Sequence, residues 1–174
     1  MHPDLNLEIV SQTPGFSLSR READLAVMVG KPTEPQLYFE SLGIYRLGLY
    51  ASRDYVERHG LPERVDQLPR HRLIGYVEDL LFSERLNVAR NVWSSWQSNI
   101  AISSPVGQVA AVKVGLGIGV LHDFLLDNRD DLLPVFPNLD LSREFFLVWH
   151  PNIDRIPRIH TVLDFMRSLR NAVH

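Results

Sequence analysis

Apolar positions along this chain recur with two alternating periods. In "LNLEIV", Leu5, Leu7 and Ile9 alternate with polar neighbours, the period of a half-buried strand. The loop "SQTPGF" follows, where Pro14 and Gly15 interrupt regular structure. "ADLAVMV" is apolar on both faces and ends at Gly30 and Pro32, which predicts a buried strand. A further strand is predicted over "GIYRLGLYAS", after which Ser52 is placed to cap a short helix, "RDYVERH", stopped by Gly60. "HRLIGYV" predicts another strand beyond the break at Pro69. Phe82, Leu86, Ala89, Trp93 and Trp96 then recur at helical spacing over 82–96. The strand "NIAIS" leads into a helical pattern, "VGQVAAVKV", and a strand, "IGVL". Past Pro134 and Pro137 comes the apolar strand "FFLVWHP", and a last helix places Ile159, Val162, Leu163, Met166 and Leu169 on one face. Alternating strands and helices predict an α/β fold with a mainly parallel sheet or sheets.

The stretch "ISSPVGQVAAVKVGLGIGVL" holds three glycines in five residues. A dinucleotide-binding loop needs a strand, then G-x-G-x-x-G, then a helix. Here Gly115, Gly117 and Gly119 come after the helix and miss that spacing, so they predict a helix stop and a tight entry into a strand. The other end of the helix is the candidate site. Ser104 followed by Pro105 pairs an N-cap with a first-turn proline, and a strand's carboxyl end delivers the chain there. Free N–H groups and the helix dipole suit an anion or polar ligand group at such a place, and Gly107 permits close approach. Taken alone, the pattern favours Ser104 as the simple cap of its own helix, since caps are far commoner than sites.

Composition narrows the functional classes. The 174 residues carry a net charge of -3, which argues against a free-standing nucleic-acid-binding face. Without cysteine there are no disulfides, thiolate metal sites or cysteine nucleophiles. No leader-like start and no apolar run of about 18 residues is present, so a soluble, cytoplasmic protein with no membrane association is expected. The seven histidines form no spaced ligand pair, and there is no G-x-S-x-G elbow. Glu78–Asp79 and Asp130–Asp131 are the charges of loops. No enzyme, metal site or cofactor is expected.

Five ordered segments together resemble one family. "LSRREADLAVMVGKP", "LGLYASRDYVERHGLP", "QLPRHRLIGY", "SSPVGQVAAVKVGLGIGVLHDFL" and "FFLVWHPNIDRIPRIHTVLDFMRSL" are similar to the effector-binding domain of LysR-type transcriptional regulators. The resemblance implies a two-lobed, type II periplasmic-binding-protein-like α/β fold with a small-molecule cleft between lobes. Lobe I would comprise residues 1–49 and 148–174 and lobe II residues 52–146, with crossings near Leu49–Ser52 and Phe146–Trp149. It also implies that the chain starts at the second strand of lobe I, leaving that lobe without its first strand and helix and with exposed apolar surface. The DNA-binding winged helix-turn-helix of the family has no counterpart here, so DNA would be reached only through such a domain.

The candidate ligand contacts that the resemblance implies are Ser11, Gln12, Met28, Val29 and Gly30 in lobe I, and Gly75, Tyr76, Ser104, Pro105, Val106 and Gly107 in lobe II. Met28 stands where related members often carry arginine, which weakens the case for a salt-bridged carboxylate effector. The expected partners are a small-molecule effector, such as a small organic acid, and further copies of the chain in a homodimer or higher homo-oligomer. A solute-binding protein of the same fold and a fragment without independent function are the alternatives.

Overall fold

A computed structural model describes residues 4–11, 18, 23–81, 86–126, 131–153 and 156–172. The chain divides into two compact units, one of residues 1–44 and 144–174, the other of residues 45–143. The crossings therefore fall at Ile44/Tyr45 and Arg143/Glu144, inside two long strands.

The first unit contains β1 (Leu25–Val29), the opening of β2 (Tyr38–Ser52), the end of β7 (Leu141–Trp149) and α4 (Pro157–Ser168). β1 and β7 pair antiparallel, from Leu25 opposite Trp149 to Val29 opposite Phe145. α4 begins with Pro157 in its first turn and buries Ile159 and Leu163 against Leu42, Leu147 and Trp149. A second cluster joins Leu18 and Leu37 to Phe146 and Val148. Arg167 on α4 bonds Glu40 at 2.8 Å and Asp164 at 3.0 Å, which fixes the helix in register over β2.

In the second unit, α1 (Arg53–His59) begins where Ser52 Oγ accepts from the Tyr55 N–H and ends where the Gly60 N–H donates to Val56 O. Both caps follow the sequence expectation. β3 (Leu73–Gly75) pairs in parallel with β4 (Ile100–Ala101) and with β5 (Ile118–His122), whereas β2 pairs antiparallel with β5 and with β6 (Leu132–Val135). α3 (Pro105–Lys113) packs Val109, Ala111 and Val112 on Tyr50, Ile74 and Leu121 to form the core.

Three expectations are corrected, and one unforeseen strand is added. The sheet pairing is mixed, not mainly parallel. Residues 5–10 form no strand: a strand needs a ladder partner, and among the described residues this segment has none. Leu7, Ile9 and Val10 are accordingly exposed. The helix expected over 82–96 shrinks to α2 (Ala89–Val92), because Trp93 turns extended and Ser94–Ser95 favour a turn; residues 82–85 lie outside the described residues. β6 was hidden by Pro134, which a strand tolerates when its other edge carries no ladder.

The three glycines have three different jobs. Gly115, at φ 76°, stops α3 in the left-handed region. A Cβ on Gly117 would collide with the Arg72 carbonyl oxygen, the acceptor of the Ile118 N–H at 2.8 Å. A Cβ on Gly119 would sit 2.9 Å from Val112 Cγ2, where β5 lies under α3.

Candidate functional site

The site is built by two short parallel strands. Gly75 ends β3 opposite Ala101 of β4, and the Ile102 N–H then donates to Gly75 O at 2.8 Å. From there the chain runs through Ser103 into an extended Ser104 (φ -105°, ψ 125°), which opens α3. Ser104 Oγ accepts from the Gly107 N–H at 3.4 Å, and its carbonyl accepts from the Gln108 N–H at 3.0 Å. Pro105 has no N–H. Among the described residues the Val106 N–H has no partner, so this first turn keeps one donor free beside the dipole's positive end.

Gln108 secures the turn. Its side chain is buried, and Nε2 donates to Ile102 O at 2.8 Å, tying the helix to the strand that delivers it. A Cβ on Gly107 would stand 2.9 Å from Ile102 Cγ2, so glycine also lets the first turn approach that strand. On the other side of Gly75, Trp96 Nε1 donates to Ser98 Oγ at 3.3 Å.

Beside this turn lies an apolar pocket whose wall includes Ile74, Gly75, Tyr76, Gln108, Val120 and His122. Its cavity is about 10 Å³, about the room that one water molecule needs. The polar groups around it are kept neutral. Burial raises the Tyr76 hydroxyl to about 12. Burial likewise raises Tyr45 to about 12; the neighbouring Tyr76 adds to this and Arg143 opposes it. Burial lowers His122 to about 4, with Asp123 pulling the other way. The His122 ring stacks on Tyr45 at 5.5 Å, and Phe124 meets both rings edge-on.

The expected contacts are thus partly brought together. Gly75, Tyr76, Ser104, Pro105, Val106 and Gly107 share one end of the second unit. Met28 and Val29 end β1 opposite Phe146 and Phe145 in the first unit, and Gly30 (φ 79°) donates to Glu144 O at 2.9 Å. Lys31 Nζ lies 4.9 Å from the centre of the Phe39 ring, a cation–π contact. Ser11 is exposed in an irregular segment, and Gln12 lies outside the described residues. Sequence reasoning missed Gln108 and His122. The signal for Gln108 was its polarity within the apolar run "VGQVAAV"; His122 had none, because the ring it stacks on, Tyr45, lies far away in sequence.

Among the described residues there is no cluster of three metal-ligating side chains, and no helix is long and apolar enough to cross a membrane.

The sequence pattern of the family described as LysR substrate binding domain matches residues 1–170. The chain is 26% identical to the HTH-type transcriptional regulator CrgA of Neisseria meningitidis serogroup C, over 95% of this chain and 57% of that protein. It is 34% identical to an HTH-type transcriptional regulator of Xanthomonas campestris pv. campestris, over 98% of this chain and 52% of that one. The chain therefore spans little more than half the length of the curated relatives it matches. Among solved structures, the CrgA regulatory domain of Neisseria meningitidis superposes with a TM-score of 0.73 at 24% identity, covering 87% of this chain and 77% of that one. The regulatory domain of AphB from Vibrio vulnificus gives 0.73 at 16% identity, covering 96% and 85%. These likenesses establish the fold as α/β of the type II periplasmic-binding-protein-like kind.

Proposed function

We propose that this chain, which belongs to the LysR substrate-binding domain family, is the effector-sensing part of a bacterial transcription regulator. The observation that supports the site is the meeting of the β3 carboxyl end with the capped α3 N-terminus. There the Val106 N–H and the helix dipole stand at the first turn of α3, and Gln108 of the same helix shares an apolar wall with Gly75 and Tyr76. A small organic acid would place its anionic group against the first turn of α3 and its apolar part toward Tyr76. His122, kept neutral, would offer one donor and one acceptor. Met28, Val29 and Gly30, in the first unit, are kept as proposed ligand contacts.

The reading makes the chain a switch rather than a catalyst. Bound effector would stabilise one conformation of the regulator, and a homodimer would pass that bias to a helix-turn-helix portion of the kind its relatives are named for. DNA binding and oligomerisation therefore belong to the whole regulator in this proposal.

A thermal-shift panel of small carboxylates, aromatics and amino acids tests it. A ligand at 100 times its Kd adds about 2.7 kcal/mol of stability. Val106→Asp is the informative variant, because Val106 is 64% exposed and an acid in the first helical turn is favourable to the helix itself. The variant is expected to fold at least as stably as the parent and to lose about tenfold or more in affinity for any carboxylate hit. Unchanged carboxylate affinity in Val106→Asp would remove the α3 N-terminus from the site.

A further inference from the structure

A second cavity opens elsewhere in residues 45–143, away from the α3 N-terminus. It measures about 470 Å³, within the size range of small-ligand sites, and lies between the middle of β2, β6 and the segment Phe136–Asp140 that leads into β7. Its inner end is built by β2. A Cβ on Gly48 would come within 2.5–2.9 Å of the Tyr50 phenol, so glycine at 48 leaves room for that ring to fold back along its own strand. The Tyr50 hydroxyl donates to Asp123 Oδ1 at 3.0 Å, which fixes the ring there. Leu132, Pro134 and Leu139 supply apolar wall. The lip on the far side includes Phe136, held at φ 55°, the one non-glycine residue with positive φ among those described. Such a backbone persists where the surroundings impose it.

Two charges face this cavity without partners. Arg46 and Asp140 both line it, both are exposed, and neither side chain makes an ion pair or hydrogen bond with any described residue, including each other. A simple anion would satisfy Arg46 but meet Asp140 and Asp123; a simple cation would leave Arg46 unanswered. A compact ligand with both charges and an apolar side group answers every feature.

We infer that this cavity binds a free α-amino acid with an apolar side chain. Its carboxylate lies on Arg46, its ammonium on Asp140, and its side chain against Leu139 and the β6 wall. The site is independent of the one at α3 and does not rest on that proposal.

Isothermal titration of the full chain with L-phenylalanine, 3-phenylpropionate and 2-phenylethylamine tests the inference. L-Phenylalanine is expected to bind about tenfold or more tightly than either singly charged analogue. Arg46→Gln should weaken L-phenylalanine about tenfold while leaving 2-phenylethylamine unchanged, and Asp140→Asn should weaken both while sparing 3-phenylpropionate. Both residues are exposed, so neither substitution threatens the fold. Val106→Asp should leave L-phenylalanine binding intact. The inference is overturned if L-phenylalanine shows no binding at about 10 mM or if either analogue binds equally well. An unchanged affinity in Arg46→Gln, or loss of binding in Val106→Asp, overturns it too, the latter because the ligand would then occupy the α3 site.

Discussion

Gly117→Ala is expected to destabilise the protein by about 3 kcal/mol, the upper end of ordinary overpacking. The added methyl meets the Arg72 carbonyl, and backbone cannot rotate away as a side chain can. That carbonyl also accepts the Ile118 N–H, so the displacement strikes the hydrogen bond that sets β5 beside β3. Gly119→Ala is the matched comparison. Its Cβ meets one methyl of Val112, which can give by small shifts of α3, and the expected cost is about 1–2 kcal/mol. Urea midpoints of the two variants measure the order. If Gly117→Ala lies within about 1 kcal/mol of the parent, the close approach at Arg72 is wrong.

The second large effect is acid sensitivity traceable to His122. Its ring is neutral in the folded protein down to about pH 4, whereas in the unfolded chain it takes up a proton near pH 6.5. Unfolding therefore binds a proton throughout that window, and stability falls as pH falls from about 6.5 toward 4. At pH 4.5 the His122 contribution to that loss is about 2 kcal/mol relative to pH 7. Burial between Tyr45 and Phe124 is the main cause, and Asp123 opposes it. His122→Phe keeps an aromatic ring in the stack and removes the titration. Its stability difference between pH 7 and 4.5 should be smaller than the parent's by that amount. Equal pH slopes for the two proteins would show that the ring titrates normally. His71, also lowered by burial, contributes in the same direction in both proteins and cancels in the comparison.

Local patterns were legible wherever the cause of structure is local. Ser52 and Gly60 mark the ends of α1, and Ser104–Pro105 marks the start of α3, because caps depend on residues within one turn. The segment 5–10 shows the opposite case: its alternation is a strand signal, but a strand is made by its partner, and none is described beside it. Pro134 misled for the same reason, since only the ladder shows that β6 is bonded to β2 and, among the described residues, carries no second ladder. The stripe from Phe82 to Trp96 fits a helical period, yet Trp96 is buried through a turn, with its indole on Ser98.

The sequence by itself determined the α/β class, the capped helices, the family likeness and the rejection of a phosphate loop. Each follows from short-range spacing or from ordered segments. Only the tertiary structure decided which strands run parallel and that the glycine after α3 at 117 is fixed by a distant carbonyl. It alone showed Gln108 and His122 beside Gly75 and Tyr76, and Arg46 and Asp140 lining one cavity. Those facts depend on contacts between residues tens of positions apart, which no local period encodes.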